Sequence, residues 1–175
     1  RMIRPIVLHP DARLKKKSVE VEGITDALIE LAEDMMETMY HAPGIGLAAP
    51  QIGVLQRVIV MDCAKKEDEE PDPIVMVNPL IKASSEEKNV YEEGCLSIPE
   101  HFAEVTRPEL VQVEWTDLNG KEHSEEFNGL KSTCVQHEID HLNGKLFIDY
   151  LGPIKRQMIT RKMQKFKREK LRGSE

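Results

Sequence analysis

The chain has 175 residues, of which 40% are hydrophobic and 31% are charged, and its net charge is −7. This length and balance are typical of one globular domain, here residues 1–175, and they disfavour a two-domain chain. No apolar run approaches the roughly 18 to 20 residues that cross a bilayer, and the N-terminus lacks the basic-then-apolar pattern of a secretory signal. We therefore expect a cytoplasmic protein without membrane attachment.

The first predicted element is a helix within residues 23–44. The segment GITDALIELAEDMMETMYHAPG places apolar side chains at helical spacing, and Pro43 followed by Gly44 ends the pattern. We expect this helix to face the core, with its methionines used for packing rather than for binding a ligand.

Short segments rich in β-branched residues follow the helix: QRVIVMD, PIVMVNPLI, KNVYEEG, ELVQVEWTDL and KEHSEEFNG. Turn residues separate them, notably Asn119 and Gly120, so we predict antiparallel strands. The acidic stretch KKEDEEPDP at residues 65–73 interrupts this series and predicts an exposed loop.

Two further helices are predicted near the C-terminus. One runs from about Leu130 to Leu142, because Asn143 and Gly144 form a C-terminal stop. The other begins near Pro153, and apolar residues follow one of its sides: Ile154, Met158, Ile159, Met163 and Phe166. The order helix, strands, helix, helix predicts an α+β fold.

The last predicted helix is strongly basic, although the chain as a whole is acidic. Between residues 155 and 172 there are nine basic residues and a single acid, Glu169. Such a segment is either the solvated face of a terminal helix or a surface that docks onto a polyanion such as RNA, and the sequence leaves both readings open.

The segment CVQHEIDHLNGKLF at residues 134–147 contains the clearest chemical motif. His137 and His141 are four residues apart, so on a helix they share a face and can bind one divalent ion. Glu138 points about 100° further around the helix, where it can reach a water on the ion without binding the ion itself. The apolar neighbours of the motif indicate a buried face, which argues against two ordinary histidines.

A catalytic metal site needs a third protein ligand and an open position. Downstream of His141 there is no further histidine, and Phe147 stands where metzincin peptidases have their third histidine. The best upstream candidate is Cys95, in a glycine-flanked stretch whose backbone can turn sharply. The three cysteines are odd in number and scattered, which argues against disulfides, and we expect Cys63 and Cys134 to be core residues. One thiolate and two imidazoles leave the fourth position for water.

A third segment, GIGLAAPQIG at residues 44–53, combines small residues with Gln51. Small side chains let a substrate backbone approach closely, and the Gln51 amide can donate to a developing oxyanion. The segment fits neither the dinucleotide-binding fingerprint nor a phosphate loop, because Ala49 occupies the last glycine position and no lysine with a following Ser or Thr comes after it. Taken alone, it is more typical of a tight loop than of a site.

Together, GIGLAAPQ at residues 44–51, EGCLS at 93–97 and HEIDH at 137–141 resemble the motifs of peptide deformylases, in that order and with similar separations. The resemblance covers nearly the whole chain. It implies a metallohydrolase that removes the N-terminal formyl group from formyl-methionyl nascent peptides and releases formate. It also implies an α+β fold in which antiparallel β-sheets pack around a central metal-binding helix, with an N-terminal core helix and a basic C-terminal helix at residues 153–172.

The family's chemical residues fall on matching positions of this chain. The resemblance implies three metal ligands, namely Cys95, His137 and His141. It makes Glu138 the general acid/base for a metal-activated water that attacks the formyl carbon. The oxyanion donors that it implies are the Gln51 side chain and the Leu96 backbone N–H.

The resemblance also implies contacts to substrate and a supporting pair. The substrate-binding residues are Gly46, Ile45, Tyr91, Leu130, Thr133 and Cys134, of which Gly46 holds the substrate backbone and the others surround the methionine side chain. Glu93 and Arg107 correspond to a pair that steadies His137. Two positions depart from the family pattern: Phe102 replaces a basic residue, which affects contacts beyond methionine, and Thr133 replaces an aliphatic one, which makes the pocket more polar.

The implied cofactor is one divalent metal ion, Fe²⁺ under physiological conditions. Affinity for two imidazoles and a thiolate rises from Fe²⁺ through Co²⁺ and Ni²⁺, with Zn²⁺ also above Fe²⁺, so purified protein could carry Zn²⁺, Ni²⁺ or Co²⁺ instead. The implied partners are the formyl-methionyl peptide and, through the basic C-terminal helix, the ribosome near its exit tunnel. We expect no membrane and no DNA partner.

Two other functions remain open at this point. An ordinary zinc endopeptidase would use the same helix and the same histidines. A structural metal site or an RNA-binding adaptor would need no catalysis, but a structural site would be closed by a fourth protein ligand, and the sequence offers no convincing one.

Overall fold

The computed structural model describes residues 2–64 and 69–173, which form three α-helices and seven β-strands. The helices are α1 (Asp26–His41), α2 (Gly129–Leu142) and α3 (Pro153–Gly173). The strands are β1 (Gly46–Ala48), β2 (Val58–Met61), β3 (Ile74–Ser84), β4 (Lys88–Cys95), β5 (Ile98–Pro108), β6 (Leu110–Thr116) and β7 (Glu122–Asn128). The predicted α+β fold is confirmed.

The strands form two antiparallel sheets. Five of them make one sheet in the order β1-β2-β3-β6-β7, and β4 pairs with β5 in a separate two-stranded sheet. The β4–β5 register shifts between Gly94 and Cys95, so a bulge interrupts the ladder one residue before the hairpin turn. Bulges of this kind turn a side chain away from its regular direction.

The larger sheet is buried between α1 and α2, because successive side chains of a strand point to opposite faces. Val58 and Val60 of β2 pack in one core cluster with Leu28, Leu31 and other α1 residues. Their neighbours in the strand, Ile59 and Met61, pack instead with Val135, Ile139 and Leu142 of α2. Thr25 caps α1 by accepting a hydrogen bond from the Leu28 N–H at 3.2 Å.

Helix α3 contacts the rest of the protein through fewer residues than its sequence predicts. Ile159 and Met163 are buried in a third core cluster and Phe166 packs against it, but Ile154 is 84% and Met158 48% exposed. The prediction for these two residues is wrong, since they lie about 140° and 100° around the helix from Ile159. The apolar face of α3 that contacts the core is therefore narrow.

Two strands lie outside the predicted set. In the sequence of β5, IPEHFAEVTRP, the second to fourth residues are Pro99, Glu100 and His101, which hide the alternation of the later residues. Strand β1 lies within the segment predicted as a tight loop, where Gly46 pairs with Met61 of β2. Both strands are specified by their partners more than by their own composition.

The remaining segments bear on two further predictions. Of the acidic loop predicted at residues 65–73, residues 65–68 lie outside the described residues, and residues 69–73 are exposed without regular structure. Within residues 2–64 and 69–173, no helix is both long and apolar enough to cross a bilayer.

Candidate active site

Helix α2 carries the two histidines through the interior of the protein. His137 and His141 are both buried, and their ring centroids are 5.0 Å apart with an interplanar angle of 69°. Gly129 begins the helix with φ 57, a conformation that favours glycine, and Asn143 follows its last residue. The i, i+4 spacing thus brings both imidazoles to one site, as the sequence predicts.

The thiol of Cys95 reaches the same site from the tip of β4. Its Sγ lies 3.4 Å from Nε2 of His141, and the ligand atoms of Cys95, His137 and His141 all lie within 4.8 Å of one another. Among the described residues, the His, Cys, Asp and Glu side chains that could share an ion at this point are these three. A set of two imidazoles and one thiolate fits a tetrahedral metal site with one open position.

The orientation of His137 depends on a buried ion pair. Glu93 Oε1 lies 3.0 Å from Nδ1 of His137, while both Glu93 oxygens accept hydrogen bonds from Arg107, at 2.6 Å from Nε and 2.9 Å from Nη2. Burial alone would raise the pKa of Glu93, but the bonds from His137 and Arg107 hold it below its ordinary value. Because a carboxylate can only accept, Nδ1 carries the proton and Nε2 is the nitrogen left for a metal.

The ionisation of the histidines reflects the same surroundings. Burial lowers the pKa of His141 well below its ordinary value, so this imidazole is neutral, the form that binds a metal. Burial also opposes the charged form of His137, but the negative charge of Glu138 and the hydrogen bonds to Cys95 and Glu93 raise its pKa well above the ordinary value.

Glu138 lies beside the metal-binding group without belonging to it. Its side chain is buried, its Oε1 has no hydrogen-bond partner, and burial raises its pKa to about 7. A carboxyl group with such a pKa can both take and return a proton near neutral pH. Its carboxylate is packed against Gly46 of β1, where a Cβ would lie 2.8 Å from Cδ of Glu138.

The short 3₁₀ helix Ala49–Ile52 positions the amide of Gln51. Its Oε1 accepts the Ala48 N–H at 2.9 Å, and because that backbone group can only donate, the opposite end of the amide must be Nε2. Nε2 donates to Ser97 Oγ at 3.1 Å and lies 3.5 Å from Cys95 Sγ. The NH₂ group therefore faces the sulfur of the metal-binding group.

These residues line a cavity of about 540 Å³. All the predicted substrate-binding residues lie on its wall, together with the predicted base and the two predicted oxyanion donors: Ile45, Gly46, Tyr91, Leu130, Thr133, Cys134, Glu138, Gln51 and Leu96. Cys95, His137 and Glu93 also contribute to the wall, whereas His141 and Arg107 lie behind it. A largely apolar cavity with a few convergent polar groups is the usual form of a small-ligand site.

The remaining cysteines and Phe102 occupy different environments. Cys134 is buried and lies 3.6 Å from the Ile45 carbonyl oxygen, while Cys63 is partly buried against the same core. Phe102 is 62% exposed on the cavity wall, and its ring covers Gly94, where a Cβ would lie 2.6 Å from Cε1 of the ring. A side chain at residue 94 would therefore displace this ring.

Sequence reasoning missed three residues that contact the site. Ser97 accepts from Gln51, and its signal was its place in the EGCLS motif. Asp140 accepts from Arg107 Nη1 at 2.9 Å, and its signal was a carboxylate three residues after His137. Tyr150 donates to Asp140 at 2.8 Å, and nothing in its local sequence indicates this bond.

Comparisons with known proteins agree with this geometry. The sequence pattern of the family described as polypeptide deformylase matches residues 3–157. A peptide deformylase of Rhizobium meliloti (strain 1021) is 55% identical over 163 residues, which cover 93% of each chain. One of Afipia carboxidovorans is 56% identical over 163 residues, which cover 93% of this chain and 95% of that protein.

Solved structures are similar over almost the whole chain. Peptide deformylase from Ehrlichia chaffeensis superimposes with a TM-score of 0.91 at 40% identity, covering 97% of this chain and 99% of that one. The enzyme from Legionella pneumophila gives 0.88 at 48% identity, with 97% and 98% covered. The Ehrlichia enzyme has also been solved in complex with actinonin. The chain therefore belongs to the peptide deformylase family, the metal-dependent hydrolases that remove the N-terminal formyl group from nascent peptides.

Proposed function

We propose that the chain removes the formyl group from formyl-methionyl peptides with Cys95, His137 and His141 holding one divalent ion and Glu138 as general acid/base. The observation that carries this proposal is the convergence of three ligand atoms within 4.8 Å beside a buried carboxylate on the wall of one cavity. When bound, the ion supplies Lewis acidity, which lowers the pKa of water and polarises a carbonyl group.

Fe²⁺ is the proposed physiological ion. The donor set of two imidazoles and one thiolate accepts several divalent transition metals, and Zn²⁺, Ni²⁺ and Co²⁺ all bind such sites more tightly than Fe²⁺. Ferrous iron next to a thiolate is also sensitive to oxygen. Protein prepared with oxygen excluded should therefore retain iron and activity that aerobic preparation loses.

Glu138 moves the proton in the proposed reaction. It takes a proton from the attacking water and later delivers it to the amine nitrogen as formate leaves. Burial raises the pKa of this carboxyl group above its ordinary value, which favours its holding the proton between the two steps. Its contact with Gly46 holds the carboxylate where a substrate backbone along β1 would place the formyl group.

Two donors would stabilise the negative charge on the formyl oxygen. The NH₂ group of Gln51 has two hydrogens: one is donated to Ser97, and the other, which faces Cys95 Sγ at 3.5 Å, would turn to the oxyanion. Leu96 follows Cys95 directly in the hairpin turn, and its backbone N–H is the second proposed donor. Donors of this kind act on charge that develops in the transition state, which raises the turnover rate rather than substrate affinity.

The methionine side chain of the substrate would occupy the apolar part of the cavity. Its proposed contacts are Ile45, Tyr91, Leu130, Thr133 and Cys134, with Gly46 against the substrate backbone. A formyl carbon carries only hydrogen, so a site of this size can exclude acetyl groups by steric contact. The Thr133 hydroxyl makes the pocket slightly more polar than an aliphatic residue would.

The proposed setting of this activity is the cytoplasm, with residues 1–175 acting as one catalytic domain that docks on the ribosome near the exit tunnel through α3. In support, the basic residues of α3 that are exposed include Arg161, Lys165 and Arg168, which share one side of the helix. Because Ile159 and Met163 are buried, deletion of α3 would open the core, so charge reversal is the better test. Replacing all three basic residues by Glu should weaken ribosome binding in a salt-dependent way and spare the hydrolysis of short peptides.

The central experiment measures formate release by the iron-loaded protein. Formyl-Met-Ala-Ser should be hydrolysed, whereas acetyl-Met-Ala-Ser and the internal peptide bonds of both should remain intact. Cleavage of an internal bond would indicate a zinc endopeptidase instead. No hydrolysis of any of the three peptides, with metal bound, would contradict the proposal and favour a structural site.

A further inference from the structure

We infer that Asp140 and Tyr150 are positioning residues for the metal site, which hold Arg107 in the orientation that presents Glu93 to His137. Neither residue lies on the wall of the cavity, so neither contacts the substrate. This role rests on the proposed function, because it requires His137 to be a metal ligand.

Arg107 is the link between the two halves of this chain of contacts. Its side chain is 4% exposed, and Nε and Nη2 donate to the two oxygens of Glu93 at 2.6 and 2.9 Å. The remaining nitrogen, Nη1, donates to Asp140 Oδ2 at 2.9 Å. A guanidinium group is planar and rigid, so a fixed Nη1 also fixes the plane of the two bonds to Glu93.

Tyr150 completes the attachment of Asp140. Its hydroxyl donates to the same Asp140 oxygen at 2.8 Å, and it lies 3.4 Å from Nη1 of Arg107. Two cations stand over its ring, with Arg107 Cζ at 4.8 Å and Lys145 Nζ at 4.0 Å from the centroid. A rotation of the ring would therefore break the hydroxyl bond to Asp140 and both cation contacts.

The segment that carries Tyr150 also contacts His137 directly. Tyr150 ends the 3₁₀ helix Phe147–Tyr150, and the buried ring of Phe147 stacks on the His137 ring with centroids 6.2 Å apart. His137 is thus held by this short helix in two ways: by the Phe147 ring, and through Tyr150, Asp140, Arg107 and Glu93 in turn. Partners that orient a metal ligand in this way typically change metal affinity about 10- to 100-fold when they are removed.

The test measures the release of Co²⁺ from loaded protein to an excess of chelator, together with the visible absorption of the bound ion. Asp140→Ala should release Co²⁺ about tenfold faster and shift its absorption bands, because His137 loses its fixed orientation. Asp140→Asn should restore most of the slow release, since its amide oxygen can still accept from Arg107. Tyr150→Phe keeps the ring and should have a smaller effect in the same direction.

The matched control is Asp117→Ala, which removes a carboxylate bonded to His123 at 2.7 Å in the β6–β7 turn. It should lower stability without changing Co²⁺ release. Wild-type release rates in both Asp140→Ala and Tyr150→Phe would overturn the inference, and if Asp140→Ala does not fold, Tyr150→Phe alone decides it. If the wild-type protein binds no Co²⁺, the proposed metal site itself is contradicted. This result differs from unchanged release rates in the variants, which would contradict only the positioning role.

Discussion

Gly46 and Glu138 are in direct contact although they lie on different elements, strand β1 and helix α2. A Cβ on residue 46 would lie 2.8 Å from Cδ of Glu138 and 2.9 Å from Sγ of Cys134. The pairing of Gly46 with Met61 holds the strand in place, so the backbone cannot easily retreat. The position of the proposed base therefore depends on the absence of a side chain at residue 46.

The first prediction concerns this contact. Gly46→Ala should displace the Glu138 carboxylate and lower kcat by about 10²-fold or more, because the proton transfer then loses its geometry. Steady-state formate release measures the effect, and circular dichroism should report an unchanged fold. Gly23→Ala is the matched control, since a Cβ there meets nothing within 4 Å. Normal turnover by Gly46→Ala would show that the contact has no part in catalysis.

The second prediction concerns the oxyanion donor. Gln51→Ala should lower kcat by about 10²- to 10³-fold with little change in KM, because the donated bond matters mainly in the transition state. Ser97→Ala removes the partner of Gln51 but leaves the amide held by the Ala48 N–H, so its loss should be smaller. An equal decrease of kcat in the two variants would mean that the reaction requires the hydrogen bond to Ser97 rather than the free donor of the amide.

The third prediction separates the proposed base from the metal ligands. Glu138→Gln keeps the shape of the side chain but cannot accept a proton, so hydrolysis should fall by about 10²- to 10⁴-fold. Co²⁺ should still bind with one ion per chain, because Glu138 is not among the ligand group. A variant that hydrolyses formyl peptides at the normal rate would eliminate Glu138 as the base.

The fourth prediction concerns stability in acid. His9 is buried, its Nε2 lies 2.8 Å from Thr160 Oγ1, and its Nδ1 has no partner. Burial lowers its pKa from 6.5 to about 4, with help from the charge of Lys15. Between these two values the unfolded chain binds the proton and the folded protein does not, so the free energy of unfolding decreases as pH falls from about 6.5 towards 4.

His9→Gln should test this directly, because a glutamine can bond to Thr160 but does not titrate. Between pH 7 and pH 5, the free energy of unfolding measured with urea should decrease by about 2 kcal/mol more in the wild type than in the variant. An equal loss in both proteins would assign the acid sensitivity to other groups. The difference in free energy of unfolding between the two proteins at pH 7 is the control. At that pH His9 is neutral in the folded chain and largely neutral in the unfolded chain, so the difference reports the substitution and not the titration.

The helices are the elements that the sequence specifies most locally. Helix α1 lies inside its predicted segment, residues 23–44, and helix α2 lies within one residue of its predicted bounds, because apolar spacing and stop residues such as Gly144 act locally. Strand β5 could not be found in this way. This strand pairs with β4, and the register of the pair includes a bulge at Gly94 and Cys95. Neither feature can be read from the spacing of apolar residues in β5.

The residues of the candidate site also differ in whether local spacing or tertiary packing places them. The i, i+4 spacing of His137 and His141, with Glu138 beside the first, follows from helix geometry alone, and so the sequence by itself indicated two of the proposed ligands and the proposed base. The contacts of Asp140 and Tyr150 follow only from packing, since Tyr150 follows α2 in a separate short helix and its bond depends on how that helix docks.

The sequence therefore determined the class of chemistry, and the tertiary structure decided how the groups meet. Cys95 is 46 residues from His141 along the chain, yet its sulfur lies 3.4 Å from the imidazole. Gly46 is still further from Glu138, and their contact depends on how β1 packs against α2. Local spacing is set by backbone geometry within one element, whereas these approaches arise when separate elements bury their apolar faces in a common core.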